Sequence, residues 1–327
     1  MRLFLLVYFY YCITWCIALH DVKCSWNYRF DSYDNHFNIV YPDKNAVYFG
    51  MVIPPGASSF RVFSNEIHPI AKYFSIQVYE IGGVAYHYND IELVTQDGLS
   101  HIGAPYDLYL DLIPSQSYFA LFRIYDSQFK SDNYWAGIPP KTLVDGREYA
   151  LCNIDYDQQG NISTNFTQTL NPVTGTVCLT NSEFIFMPVP PGSLSNADAN
   201  YMIACIMPDQ TYMIRIKLPK IMCSLYLVDD KYDLRYASIS LVSTSAPRPT
   251  ITTYELPCDI SEYELEIEVP NDVVLPAFLY RQLLPDANFK YSIERAKQKC
   301  YDYVNNIYDD KCIYAVMGEY YPKINRI

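Results

Sequence analysis

From residue 46 onward the chain alternates short apolar runs with breaks bearing Pro and Gly, and in the runs 73–79 and 262–269 apolar side chains recur at every second position. A period of two sends successive side chains to opposite faces of an extended strand, so the pattern predicts a mainly β protein. Residues 46–53 run into the turn Pro54-Pro55-Gly56. Residues 59–63 and 73–79 follow, the second alternating Phe74, Ile76 and Val78 against Ser75, Gln77 and Tyr79 until Gly82-Gly83 ends it. Residues 97–117 read as loop-rich, and 118–125 as a compact buried strand. Further strands are predicted over 201–207, 212–218, 225–228 and 236–242. The cleanest is 262–269, where Glu262, Glu264, Glu266 and Glu268 take one face and Tyr263, Leu265, Ile267 and Val269 the other. Only residues 289–308 have helical period, with Ile293, Ala296, Cys300, Val304 and Ile307 on one stripe. Many short strands with Gly/Pro turns and one late helix point to β-sandwich or jelly-roll units.

The pattern occurs twice. Pro54 precedes Arg61 by seven positions, and Pro208 precedes Arg215 by the same seven. Lys72-Tyr73-Phe74-Ser75-Ile76 matches Arg235-Tyr236-Ala237-Ser238-Ile239, and Leu121-Phe122-Arg123 matches Leu279-Tyr280-Arg281. Three matched blocks in one order predict a duplicated β unit. The expected division is a first β-sandwich over 46–150 and a second over 151–327 with the C-terminal helix, preceded by an irregular, polar lead-in over 19–45. Residues 131–146, with Gly137-Ile138-Pro139-Pro140 and Asp145-Gly146, read as the connection.

Length agrees, since 327 residues allow two domains of about 100–200 residues each. With 50% hydrophobic and 18% charged residues the chain has the composition of a folded protein. Its net charge of −12 would be repelled by phosphate backbones, which excludes nucleic acid as a partner class. The 33 tyrosines suit half-buried pleated surfaces, each offering an apolar body with a polar tip.

Residues 1–18 have one Arg, a short apolar core and a small residue at Ala18, which is the pattern of a cleaved secretory signal. The alternative is a membrane anchor over residues 3–19, slightly short of the about 20 that span a bilayer. Cleavage would remove Cys12 and Cys16 and leave an even set of eight cysteines, addressed to an oxidising compartment. Short loops favour the pairs Cys152–Cys178, Cys205–Cys223 and Cys300–Cys312, leaving Cys24 with Cys258.

Candidate chemistry is sparse. Residues 155–162 resemble the opening of a calcium loop, but Phe166 stands where the bidentate Glu belongs, so a polar turn is the simpler account. The sequons at Asn161 and Asn165 lie in the same exposed segment and predict glycosylation. The Glu262–Glu268 stripe reads either as a docking face for a basic partner or as a solvated strand face that discourages edge pairing. The repeated cations Arg61/Arg215, Lys72/Arg235 and Arg123/Arg281 lie in or beside apolar strands, so each is expected to pair with a carboxylate as a structural strut. His87 and His101 could meet across a hairpin near Asp90. No metalloprotease, nucleophile-elbow, Cys-x-x-Cys or phosphate-loop motif is present.

The pieces Tyr41-Pro42-Asp43-x-Asn45-Ala46-x-Tyr48, Pro55-Gly56, Lys72-Tyr73-Phe74-Ser75, Arg123-Ile124-Tyr125, Gly137-Ile138-Pro139-Pro140 and Asp145-Gly146 run through the first half. Arg235-Tyr236-x-Ser238, Tyr280-Arg281-Gln282-x-Leu284-Pro285 with Phe289, and Met317-Gly318-x-Tyr320-Tyr321-Pro322 run through the second. In this order they resemble a family of secreted β-rich proteins of uncharacterised function, found in bacteria, algae and large DNA viruses. Ala237 departs from the family pattern, which has an aromatic residue there. The resemblance implies a secreted β-rich fold and no particular activity.

The expectation is therefore a secreted or surface-displayed binding or structural glycoprotein without a cofactor, whose partner is a protein or glycan surface. The alternative from another class is a secreted hydrolase or carbohydrate-active enzyme, with its carboxylates in a cleft between the units.

Overall fold

The computed structural model describes residues 24–26, 28–31, 43–64, 72–80, 83–94, 106–125, 139–152, 187–188, 196–223, 231–244, 250–302 and 307–327. Among these, nineteen strands form five antiparallel sheets. Residues 24–152 make one compact unit, and 187–188 with 196–327 make a second.

In the first unit the strands are β1 (Tyr28–Asp31), β2 (Ala46–Ile53), β3 (Ser59–Ser64), β4 (Tyr73–Glu80), β5 (Gly83–Asn89), β6 (Tyr106–Asp111), β7 (Tyr118–Tyr125), β8 (Lys141–Val144) and β9 (Arg147–Tyr149). A short helix, α1 (Asp90–Val94), follows β5. One sheet has the order β1-β2-β7-β4-β5 and the other β6-β3-β8-β9. Phe49, Met51, Phe74, Ile76 and Phe122 of the first meet Phe60, Val62, Leu108, Leu110 and Val144 of the second in one core. The chain crosses repeatedly between the sheets, as in a jelly roll.

Three expectations are corrected here. The lead-in is not irregular throughout, because β1 pairs with β2 and Trp26 is fully buried. The Trp26 indole N–H donates to the Pro140 carbonyl at 2.6 Å, and its ring lies 6.1 Å from that of Phe122. β1 is only 4 residues long, too short for a period to show. The loop-rich stretch contains β6, whose Tyr106, Leu108 and Leu110 point inward while Asp107, Tyr109 and Asp111 point out. Residues 141–149 are not a connector but a hairpin of the smaller sheet. Asp145 and Gly146 form its turn with φ of 49° and 76°, the doubly positive geometry that Asp-Gly accommodates in a two-residue hairpin.

The second unit contains β10 (Met187–Pro188), β11 (Ala199–Cys205), β12 (Gln210–Lys217), β13 (Leu234–Ser243), β14 (Thr250–Glu255), β15 (Glu262–Val269) and β16 (Pro276–Pro285). Then come α2 (Ile293–Cys300), β17 (Tyr301–Asp302), β18 (Ile307–Tyr308), α3 (Asp310–Met317), a single 3-10 turn at Gly318–Tyr320 and β19 (Lys323–Arg326). The sheets are β10-β11-β16-β13-β14, β15-β12-β19 and the hairpin β17-β18. Met202, Ile239, Leu241 and Phe278 pack against Tyr212, Ile214, Leu265, Ile267 and Ile324. Phe289, Ile293, Ala296, Ile313 and Met317 of the helical segment join the same core.

The helix expected over 289–308 is shorter, Ile293–Cys300, and a second helix follows beyond that range. The first starts at the Ser292 cap, whose hydroxyl accepts from the Arg295 N–H, and ends at Cys300. The second starts at Asp309, whose carboxylate accepts from the N–H groups of Lys311 and Cys312. The β17–β18 hairpin reverses the chain between them, so the apolar stripe seen in the sequence is not one helical face. The strand expected over 225–228 lies outside the described residues.

The two units share a strand order. The order β1-β2-β7-β4-β5 corresponds to β10-β11-β16-β13-β14, and β6-β3-β8 to β15-β12-β19, each set in the same sequence order. Registers agree as well. Arg123 stands between Tyr48 and Ser75, and Arg281 between Tyr201 and Ser238. The matched sequence blocks thus occupy equivalent places.

Candidate functional site

The repeated cations divide into two kinds. Arg61 and Arg215 lie on the outward faces of the smaller sheets and pair with Asp107 and Glu264. Both pairs are exposed, with side-chain accessibilities of 42% and 51% in the first and 54% and 60% in the second. Each has the carboxylate partner that the strut reading expected, and both pairs lie at the surface. The Arg61 hydrogen bond holds the Asp107 carboxyl below its ordinary range.

Arg123 and Arg281 are the buried pair, each 2% exposed on the central strand of its five-stranded sheet. Arg123 donates to the Gln77 side-chain carbonyl and, at 2.6 Å, to the Tyr79 hydroxyl, and its guanidinium lies 5.6 Å from the Tyr79 ring centroid. Arg281 reaches the Ser238 hydroxyl and lies 5.3 Å from the Tyr201 ring. Arg235 is buried as well, while Lys72 is half-buried. Beside Arg123, the Tyr48 and Tyr125 hydroxyls are 3.1 Å apart, and Tyr48 accepts from the Asp43 N–H. This is a buried polar network that fixes the sheet face rather than an open site.

The Glu stripe of β15 faces the basic residues of β12, with Glu264 opposite Arg215 and Glu262 opposite Lys217. Cross-strand pairing accounts for half of it without a partner. His87 stands opposite Gln77 on the outer strand β5. Asp90 begins α1, whose Asn89 carboxamide oxygen accepts from the Ile91 and Glu92 N–H groups while Glu92 accepts from the Asn89 N–H. These side chains form a capping box. His101, the calcium-like loop and both sequon residues, Asn161 and Asn165, lie outside the described residues. Among those described, no three His, Cys, Asp or Glu side chains converge to hold a metal ion, and no helix is long and apolar enough to cross a membrane.

The disulfides correct the short-loop reading. Cys24 bonds Cys152 across 128 residues, and Cys223 bonds Cys258, so neither Cys152–Cys178, Cys205–Cys223 nor Cys24–Cys258 forms. Cys300–Cys312 forms as expected. Cys205 is also disulfide-bonded, to a partner outside the described residues. The long closure arises because Ser25 and Leu151 are bridged side by side, a tertiary neighbourhood that loop length cannot reveal.

Sequence reasoning missed an aromatic column on the second unit. Tyr320 stacks on Tyr291 with centroids 5.2 Å apart and planes at 29°. Phe289 meets both rings, at 5.3 Å and 6.1 Å. The Lys217 ammonium lies 5.5 Å from the Tyr320 centroid and pairs with Glu319 at 2.6 Å. Burial pushes the Tyr320 phenol up; Lys217 opposes this, and Asp233, Glu319 and Tyr291 add to it. Three separate elements build the column: the end of β12, the segment before α2, and the turn after α3. Cys300–Cys312 staples α2 to α3. Phe289 is buried as an anchor, whereas Tyr291 is 45% exposed. The sequence singled out Phe289 and the segment 317–322 containing Tyr320, but did not disclose that they meet.

No family model and no curated protein matches the chain. Among solved structures, hazelnut (Corylus avellana) vicilin aligns over 90% of this chain and 93% of its own at 6% identity, but its TM-score of 0.21 carries no argument. An uncharacterised protein from Burkholderia cenocepacia aligns over 98% of this chain and 87% of its own, with 8% identity and a TM-score of 0.54. At that identity the likeness concerns architecture alone: this chain is similar in fold to that bacterial protein across almost its whole length.

Proposed function

We propose that this chain is a secreted or surface-displayed binding glycoprotein, with residues 1–18 as its signal and Asn161 and Asn165 as glycan acceptors. Formed disulfides in both units belong to an oxidising compartment and support the extracellular assignment. The resemblance to secreted β-rich proteins supports it too. The observation that carries the binding role is the exposed Tyr291 ring, held by Tyr320 and Phe289 in the segments that flank a disulfide-stapled pair of helices. A rigid aromatic side chain offers contact area at little entropy cost. The partner class is a protein or glycan surface.

The test uses the full chain expressed in a glycosylating secretory host and its binding to intact cells. Saturable binding that Tyr291→Ala removes, from protein whose N-terminus lies near Leu19, is the expected result. Undiminished binding by Tyr291→Ala would defeat the assignment of the site. Mature protein retaining residues 1–18 would defeat the signal.

A further inference from the structure

We infer that the Tyr314–Tyr321 pair is a site of oxidative coupling to dityrosine by an extracellular haem peroxidase with hydrogen peroxide, a modification that shares only the extracellular assignment with the reading above. The two rings lie 5.3 Å apart between centroids with planes at 62°, edge against face. Backbone hydrogen bonds hold them there. The Gly318 N–H donates to the Tyr314 carbonyl at the end of α3, and the Tyr321 N–H donates to the Gly318 carbonyl at 3.2 Å. Tyr321 packs against the core of the second unit, while Tyr314 is 52% exposed. Coupling requires two phenoxyl radicals to meet before either is quenched, and a pair already in contact makes that step unimolecular.

Each phenol gives up one electron and one proton. The radicals join through the ring carbons ortho to the oxygens, and the hydrogens on those carbons move to the oxygens and restore both phenols. The two electrons and two protons released reduce one hydrogen peroxide to two waters. Every described cysteine is disulfide-bonded, so no described thiol competes for the radicals. The other tyrosine contacts suit the reaction less. In the first unit Tyr125 lies 5.5 Å from Tyr73 and 6.0 Å from Tyr48, but burial closes all three rings to an oxidant and to water that would take the phenol proton. Tyr291 and Tyr320 meet nearer the surface, yet the Lys217 ammonium 5.5 Å from the Tyr320 centroid opposes loss of an electron from that ring. Tyr301 and Tyr308, 5.0 Å apart, are both half-buried, without an exposed member to start the reaction.

The experiment treats purified full-length protein with a haem peroxidase and limiting hydrogen peroxide, isolates the monomer by size exclusion, reduces its disulfides and digests it with trypsin and a Glu-specific protease. Cleavage after Glu319 separates Tyr314 from Tyr321, so their peptides stay joined, two hydrogens lighter than their sum, only when coupled. The joined peptides and dityrosine fluorescence are expected in the parent and in Tyr320→Phe, and are lost in Tyr314→Phe and in Tyr321→Phe. Equal melting temperatures of the three variants and the parent show that the fold is intact. If the monomer carries no joined peptides while N-acetyltyrosine in the same mixture couples, the inference falls. If heat-unfolded protein yields them equally, or Tyr73 and Tyr125 couple as readily, contact and exposure do not select the site and the inference falls as well.

Discussion

Arg123→Ala should destabilise the first unit far more than Arg215→Ala destabilises the second. Arg123 is 2% exposed and supplies donors to Gln77 and Tyr79, which are 0% and 3% exposed. Truncation removes two charge-assisted hydrogen bonds worth about 1.5–3 kcal/mol each, and water has no ready access to replace them. Gln77 keeps the Tyr79 hydroxyl as a donor, which limits the loss. The expected total is about 3–5 kcal/mol, in the range for breaking a buried charged network. Arg215 has the same flanking pattern in sequence, but its pair with Glu264 is over half exposed, so its truncation should cost about 0–1 kcal/mol. Thermal and urea unfolding of the oxidised protein would measure both. Trp26, buried 6.1 Å from Phe122, gives a fluorescence signal for the first unit. At about 3 °C per kcal/mol for a unit of this size, Arg123→Ala should melt roughly 10 °C lower by that signal. Loss of less than 1 kcal/mol in Arg123→Ala, or an equal loss in Arg215→Ala, would refute the reasoning from burial.

A peptide map of the unreduced protein should show Cys24–Cys152, Cys223–Cys258 and Cys300–Cys312. Removing Cys24–Cys152, with its separation of 128, should cost about 5 kcal/mol in the chain-entropy model, and removing Cys300–Cys312, with its separation of 12, about 3 kcal/mol; denaturant titration of the double Ser variants compares them. Hydrogen bonds from Ser58 and Ser59 hold the Asp145 carboxyl below its ordinary range. Its contribution is therefore full above the ordinary Asp value and is lost as pH falls through the depressed folded value. Acid melting curves should show Asp145→Asn flattening that loss and leaving a lower plateau at neutral pH. Gly146→Ala, at φ of 76°, should destabilise the same hairpin by about 1–2 kcal/mol in equilibrium unfolding.

Much of the fold was legible in the sequence because strand periodicity is local. Residues 46–53, 118–125 and 262–269 are strands at the expected bounds, since a continuous apolar run in the first two and alternating burial in the third are written into neighbouring positions. The matched blocks also marked equivalent places, because Arg123 and Arg281 answer to the same flanking strands in each unit. Where the local signal was weak, structure decided. β1 spans only 4 residues and β6 only 6, and the helical stripe was broken by the β17–β18 hairpin.

The sequence by itself determined a mainly β chain with a repeated pattern and an acidic net charge, properties that sum over neighbouring residues or over composition. Tertiary structure alone decided which cation is buried, which cysteines meet and which tyrosines stack. Arg61 and Arg123 both lie among apolar residues, yet one faces solvent from a smaller sheet and the other sits on a central strand buried along its length. Cys24 and Cys152 meet because the chain returns to Ser25 after β9. Tyr291 and Tyr320 come together only when two capped helices fold back and are stapled. Burial and contact are set by elements far apart in the chain, and a one-dimensional pattern carries no record of which distant element arrives.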